Sequence, residues 1–245
     1  MHKFLLATTA LVALTGSAFA ADLPSRKGPP VYVPPVPVFT WTGVYIGGQI
    51  GYAWDRDYTI PYVAGVATPA LGYGWSPSGV VGGAHIGYNY QVAQFVFGLE
   101  GDVEGSSLNS SVAPTLIPGY TNGVNVPIQG SVRGRAGFAV DRALFFATGG
   151  AAFASIREQY FFVTPLTLSS ARVGWTVGGG IEYAVTNNWT IRGEYLYTDY
   201  GRWTDFPTIT PGTGWRQHLR ENAVKFGFSY KFDMFAPPAP VVAKY

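Results

Sequence analysis

Residues 171–198 read ARVGWTVGGGIEYAVTNNWTIRGEYLYT. Up to position 185 one face carries Val173, Trp175, Val177, Ile181, Tyr183 and Val185, and the other carries Arg172, Thr176, Gly180 and Glu182. After Thr186, Asn187 and Asn188 the pattern resumes, with Trp189, Ile191, Tyr195 and Tyr197 against Thr190, Arg192, Glu194 and Thr198. Strict alternation over this length is the period of a β-strand with two unlike faces. The tight break between the runs makes a hairpin, and centring it on Asn187 sets Glu182 opposite Arg192.

Working outward, the same pattern predicts strands over 43–54, 80–90, 95–104, 128–140, 144–156, 171–185, 189–198 and 221–232. In the first, Val44, Ile46, Ile50, Tyr52 and Trp54 alternate with Gly43, Tyr45, Gly47, Gln49 and Gly51. A water-soluble sheet lines its wet face with Lys and Glu. Glycine and amide there fit a narrow lumen instead. The strand at 144–156 is apolar on both faces, and a two-residue turn at Asp141-Arg142 settles it. Phe146, Thr148 and Gly150 then point inward, and Phe145, Ala147, Ala151 and Phe153 outward.

Three connections are tight (91–94, 141–142, 186–188) and four are long (55–79, 105–127, 157–170, 199–220). Short turns alternating with long loops are the signature of an outer-membrane barrel, the short turns being periplasmic. The expected fold is all-β, an eight-stranded antiparallel up-and-down transmembrane β-barrel with both termini periplasmic. Two aromatic belts fall out of the assignment. Trp41, Tyr88, Tyr90, Phe95, Phe138, Tyr183, Trp189, Tyr230 and Phe232 lie near the periplasmic ends, and Tyr52, Trp54, Trp175 and Tyr197 near the outer ends.

Composition and the N-terminus agree. The chain has 32 Gly, 16 Tyr, 16 Phe and 7 Trp but only 12% charged residues, against about 25% in soluble domains. No stretch after residue 20 reaches the ~18 apolar residues of a membrane helix. Lys3, an apolar run and the small-residue site Ala18-Phe19-Ala20 mark a signal peptide, 1–20, cleaved before Ala21. Segments 21–40 and 233–245 are proline-containing and expected to lie extended in the periplasm, flanking a barrel over 41–232. With no cysteine there are no disulfides or thiolate metal sites. A net charge of +2 argues against nucleic-acid binding.

An eight-stranded barrel is just wide enough for side chains to fill it. The inward set holds Glu100, Asp102, Glu104, Arg133, Arg135, Arg172, Glu182, Arg192, Glu194, Glu221, Lys225 and Lys231. Charges removed from water need partners, which reads as an ion-pair network closing the lumen. The competing reading is a selectivity lining for a narrow pore. Centring the first turn on 91–94 sets His85 opposite Glu100, as a hydrogen-bonded lumen histidine. His218 reads as a solvated loop residue, and no serine stands in an obvious triad order with it. The outer connections carry Tyr58, Tyr62, Tyr73, Trp75, Tyr120, Trp203 and Trp215, for packing on one another or for capturing a ligand. Metal and cofactor sites are not expected.

Four stretches carry a resemblance: WTGVYIGG (41–48), VFGLEGD (96–102), GSVRGRAGFAVDRALFFATGGAAFA (130–154) and VGWTVGGGIEYAVTNNWTIRGEYLY (173–197). They resemble the porin-like outer-membrane β-barrel family of alphaproteobacteria, which includes surface antigens. The resemblance implies residence in a Gram-negative outer membrane, in contact with its lipid and lipopolysaccharide. It also implies recognition by the barrel-assembly machinery through a closing aromatic. Phe232 is the expected signal, although thirteen residues follow it and end at Tyr245. Activity is left open among a structural and surface-interaction barrel, a narrow channel for small solutes, and an adhesin or receptor using the outer loops toward host or envelope partners.

Overall fold

The computed structural model describes residues 39–55, 57–113, 121–161, 165–205 and 212–232. The signal peptide, nearly all of segment 21–40, Tyr120 and the tail 233–245 lie outside the described residues. The strands are β1 (Gly43–Trp54), β2 (Asp57–Val63), β3 (Val66–Ala67), β4 (Tyr73–Trp75), β5 (Ser78–Val92), β6 (Phe95–Val112), β7 (Thr121–Val140), β8 (Ala143–Phe161), β9 (Pro165–Ala184), β10 (Trp189–Asp205) and β11 (Thr213–Lys231). Eight pair antiparallel in the order β1-β5-β6-β7-β8-β9-β10-β11, and β1 pairs with β11 again, closing the ring. The short strands form a rim piece: β2 pairs with the top of β11, and β3 and β4 pair with β2.

Glycine lets bulky lumen groups in at two close approaches. A Cβ on Gly47 would lie 2.4 Å from the His85 ring and one on Gly87 2.4 Å from the Tyr45 hydroxyl, so side chains there would displace both. Two of the tight turns use a residue in left-handed conformation, Ala93 at φ 53° and Asp141 at φ 52°. Because the first turn is Ala93-Gln94 and Val92 stays in the strand, its register differs by two from the expected one. His85 pairs with Asp102, and Glu100 with Gly87. The other two turns give the expected registers, Arg192 opposite Glu182 and Ala139 opposite Leu144.

The larger correction concerns the four long connections, much of which is strand. β6 through β11 run to 17–20 residues, where a membrane crossing needs about 9–11. On β8 the outward residues are apolar up to Phe153 and then become Ser155, Arg157 and Gln159; on β6 they pass from Val103 to Ser107, Asn109 and Ser111. Inward residues in the same stretches are buried and apolar: Leu108, Val124, Val126, Ile156 and Leu219. Each strand therefore leaves lipid and continues as an ordinary wet-outside, dry-inside strand. Bulges at 105–108, 125–128 and 199–202 mark the passage. Pro127 sits in the second, where a missing ladder N–H is harmless.

Candidate functional site: the charged lumen and its two closures

At the end carrying the tight turns, Trp41, Val96, Ala139, Leu144, Phe146 and Ala184 form a buried cluster with Phe39 packed on it. Trp41 was expected in an aromatic belt. It is only 2% exposed and fills the lumen floor, its backbone N–H donating to Gln91 Oε1 at 2.8 Å. It precedes β1, so strand alternation does not govern where its ring goes.

Above the floor the charged residues meet in one network. Arg133, with no exposed side-chain surface, places Nη2 2.7 Å from Glu100 and 3.3 Å from Asp102, and Nη1 3.3 Å from Glu194. Arg192 binds Glu100 at 2.5 Å and lies 3.6 Å from Glu194. Arg135 binds Glu182 at 2.7 Å and stacks 4.1 Å from the Phe146 ring centre. Tyr45 and Thr190 donate to Glu100 and Glu182. One layer up, Lys225 binds Glu104 at 2.7 Å, while Gln129 donates to both Glu104 and Glu221. Ser131 donates to Asp102. The space left between these layers, beside Thr198 and Glu221, is about 10 Å³, room for about one water.

Three expected members behave differently. His85 contacts Ser229 Oγ at 2.9 Å, not Glu100, following the shifted register. Arg172 lies at the outer rim, 3.8 Å from Asp205 and over Trp203. Lys231 reaches the floor, 4.8 Å from the Phe39 ring centre.

Sequence reasoning missed the roof. Val81, Leu108, Val124, Val126, Ile156, Tyr200, Trp203 and Leu219 form a buried cluster with Trp75 from β4; Tyr160 and Trp215 are buried with Tyr73 and Leu166 packed against them. Trp75, Trp203 and Trp215, candidates for ligand capture, are thus interior. The signal was present in apolar inward positions alternating with polar outward ones beyond the expected strand ends. Within the roof, the carboxylate of Glu158 accepts from Trp203 at 2.9 Å and Tyr160 at 2.5 Å. Burial, and Asp205 nearby, push it up to about 7. His218 is a β11 residue rather than a loop residue; its Nε2 lies 3.0 Å from Asp199.

Outside, Tyr88, Tyr90, Tyr183, Trp189 and Phe232 are exposed and Tyr230 half-exposed toward the turn end. Trp189, Tyr230 and Phe232 pack edge to face at 5.1 and 5.2 Å. Tyr52, Trp54, Trp175 and Tyr197 ring the other margin, with Tyr52 on Trp54 and Trp175 on Tyr197. Between the margins stand exposed Val, Ile, Leu and Phe, an apolar band such as lipid requires.

Comparison with known proteins bears on this architecture. Residues 6–232 match the family model described as outer membrane protein beta-barrel domain. The chain is 31% identical to the 31 kDa outer-membrane immunogenic protein of Brucella melitensis over 251 residues, covering 95% of this chain and all of that protein. It is 32% identical to the 22 kDa outer membrane protein of Rhizobium leguminosarum bv. viciae over 202 residues, 81% and 82% of the two chains. Among solved structures, the outer membrane protein OprG from Pseudomonas aeruginosa shares the fold at TM-score 0.52 and 14% identity, covering 78% of this chain and 96% of that one. An eight-stranded ring with an apolar exterior, a charged interior and these relatives make the chain a member of the outer-membrane β-barrel family of the surface-antigen type.

Proposed function

We propose that this barrel is a closed structural element of the outer membrane whose activity lies on its outer surface, and that it is neither a conduit nor an enzyme. The observation supporting this is that its lumen is blocked at three successive levels: the apolar floor, the paired charges and the apolar roof. A selectivity lining works only on ions that reach it, and here apolar layers stand on both sides of the charges. An enzymatic reading finds little support. Both ring nitrogens of His218 are engaged, one by Asp199 and the other 3.5 Å from Arg202, with no hydroxyl nucleophile on either among the described residues. Both termini are assigned to the periplasm, the side of the three tight turns.

Planar-bilayer recording of the purified full chain tests this. Silent bilayers are expected, with folding shown by heat-modifiable gel mobility. Reproducible discrete openings whose size changes in Arg133→Gln or Glu100→Gln would overturn the closed-lumen reading.

A further inference from the structure

Above the lipid the wall of the barrel splits. The β9–β10 ladder ends at Trp175 opposite Asp199, while β9 stays paired with β8 as far as Pro165 and β10 with β11 as far as Asp205. Among the described residues no ladder joins 165–174 to 200–205. On the far side β5 begins at Ser78, opposite Asn109, so residues 110–112 of β6 pair with β7 alone, and the nearby β4 is paired with β2. The described rim is therefore two leaves, β6 to β9 and β10-β11-β2 with β3 and β4, closed on each other by the roof cluster. The β9 edge shows the first seam: Leu168 points inward yet is 38% exposed, whereas Glu158 opposite it is 2% exposed.

Polar contacts across this seam converge on one carboxyl group. Trp203 Nε1 of the second leaf donates to Glu158 of the first at 2.9 Å. Gln217 of the second leaf reaches it through Tyr160, donating at 3.4 Å to the hydroxyl that itself donates to Glu158. Asp205, also of the second leaf, lies within hydrogen-bonding reach of Glu158. Its Oδ1 is 3.8 Å from Arg172 of β9, and its Oδ2 is buried with no donor on it. A proton on Glu158 supplies that donor. Two carboxyl groups this close and out of water favour sharing one proton over ionising together. Burial, and the Asp205 charge, hold Glu158 up at about 7 against the hydrogen bonds from Tyr160 and Trp203. The remaining neighbours are Val124 opposite it on β7 and Tyr73 from β4, which burial holds neutral, up at about 12. The second seam is bridged by neutral groups, Asn122 Nδ2 donating to the Tyr73 hydroxyl at 3.1 Å.

We propose that Glu158 and Asp205 form a proton-operated latch between the two leaves of the roof. With one proton between them the seam is closed. When it leaves, two carboxylates face each other across a wall that has no ladder to hold it, and the leaves part there, uncovering the tryptophans between them. The inference deepens the closed-lumen reading at its roof alone. The floor and the paired charges stay in place, so bilayers silent at both acid and alkaline pH agree with it, and current does not decide it.

The chain has no cysteine, so Thr167→Cys on β9 and Thr204→Cys on β10 put a spin-label pair across the seam. Double electron–electron resonance on the full chain in lipid nanodiscs, at pH 5 and pH 8, reads the distance. The pair should lengthen at pH 8 by about 5 Å, one strand spacing. A pair within one leaf, Asn109→Cys with Thr167→Cys, should not move. Adding Glu158→Gln or Asp205→Asn, each checked for the heat-modifiable folded form, should keep the short distance at both pH values; if one does not fold, the other decides. An unchanged distance across the seam, an equal lengthening within one leaf, or a pH response retained in a folded variant would overturn the latch.

Discussion

Replacing Arg133 by Met keeps an unbranched apolar stem and removes the cation that touches three carboxylates. The consequences for the three are unequal. Glu100 keeps Arg192 at 2.5 Å and the Tyr45 hydroxyl at 2.8 Å. Glu194 keeps Arg192 at 3.6 Å. Asp102 loses its guanidinium partner at 3.3 Å and retains the Ser131 hydroxyl. Removing one partner of a buried pair costs about 3–5 kcal/mol, because a charge is left behind without compensation. The folded-to-unfolded ratio should therefore fall by at least about a hundredfold, since about 1.4 kcal/mol is tenfold. Urea titration in phospholipid vesicles, followed by tryptophan fluorescence and heat-modifiable mobility, measures it. Adding Asp102→Asn removes the stranded charge and should recover about half the loss, a coupling within the ~0.5–3 kcal/mol seen for contacting residues. A loss below about 1 kcal/mol in Arg133→Met would place these charges in water, as for exposed pairs, and the argument for a sealed lumen would collapse.

Three other outcomes are expected. Val177→Arg puts a charge in the middle of the lipid-facing band and should cost about 2–4 kcal/mol in the same titration. Gln159→Arg, on an outward face above the band, should cost almost nothing, and equal costs would refute the facing assignment. Glu158 is raised to about 7 by burial. An unfolded chain releases that proton in the ordinary carboxylate range while the folded rim keeps it, so its contribution is full at acid pH and is lost as pH rises through about 7. Hydrogen exchange in upper β8 and β10, corrected for intrinsic rates, should then be faster at pH 8 than at pH 5, and flat in Glu158→Gln; an unchanged pH response in that variant would refute the cause. Finally, deleting 233–245 should preserve assembly in cells while Phe232→Ala impairs it. The reverse result would move the assembly signal to the tail.

What local sequence determines in this chain changes at the lipid boundary. Within the apolar band, period-two alternation determined the eight strands, their facing, the charged lumen set and the aromatic margins, because lipid on one side and a narrow lumen on the other leave each position one choice. Residues 171–198 carry this logic unaided, including Glu182 opposite Arg192. Beyond the band the outside becomes water, the outward face turns polar, and a pattern keyed to lipid stops seeing strands that continue for several residues more. Only the tertiary structure decided that Trp41 floors the lumen, that Trp75, Trp203 and Trp215 roof it, and that His85 meets Ser229. These contacts depend on ring closure, on the two-residue turn at Ala93-Gln94 and on bulges that shift register, all of which are settled by strands far apart in the chain packing together rather than by local alternation.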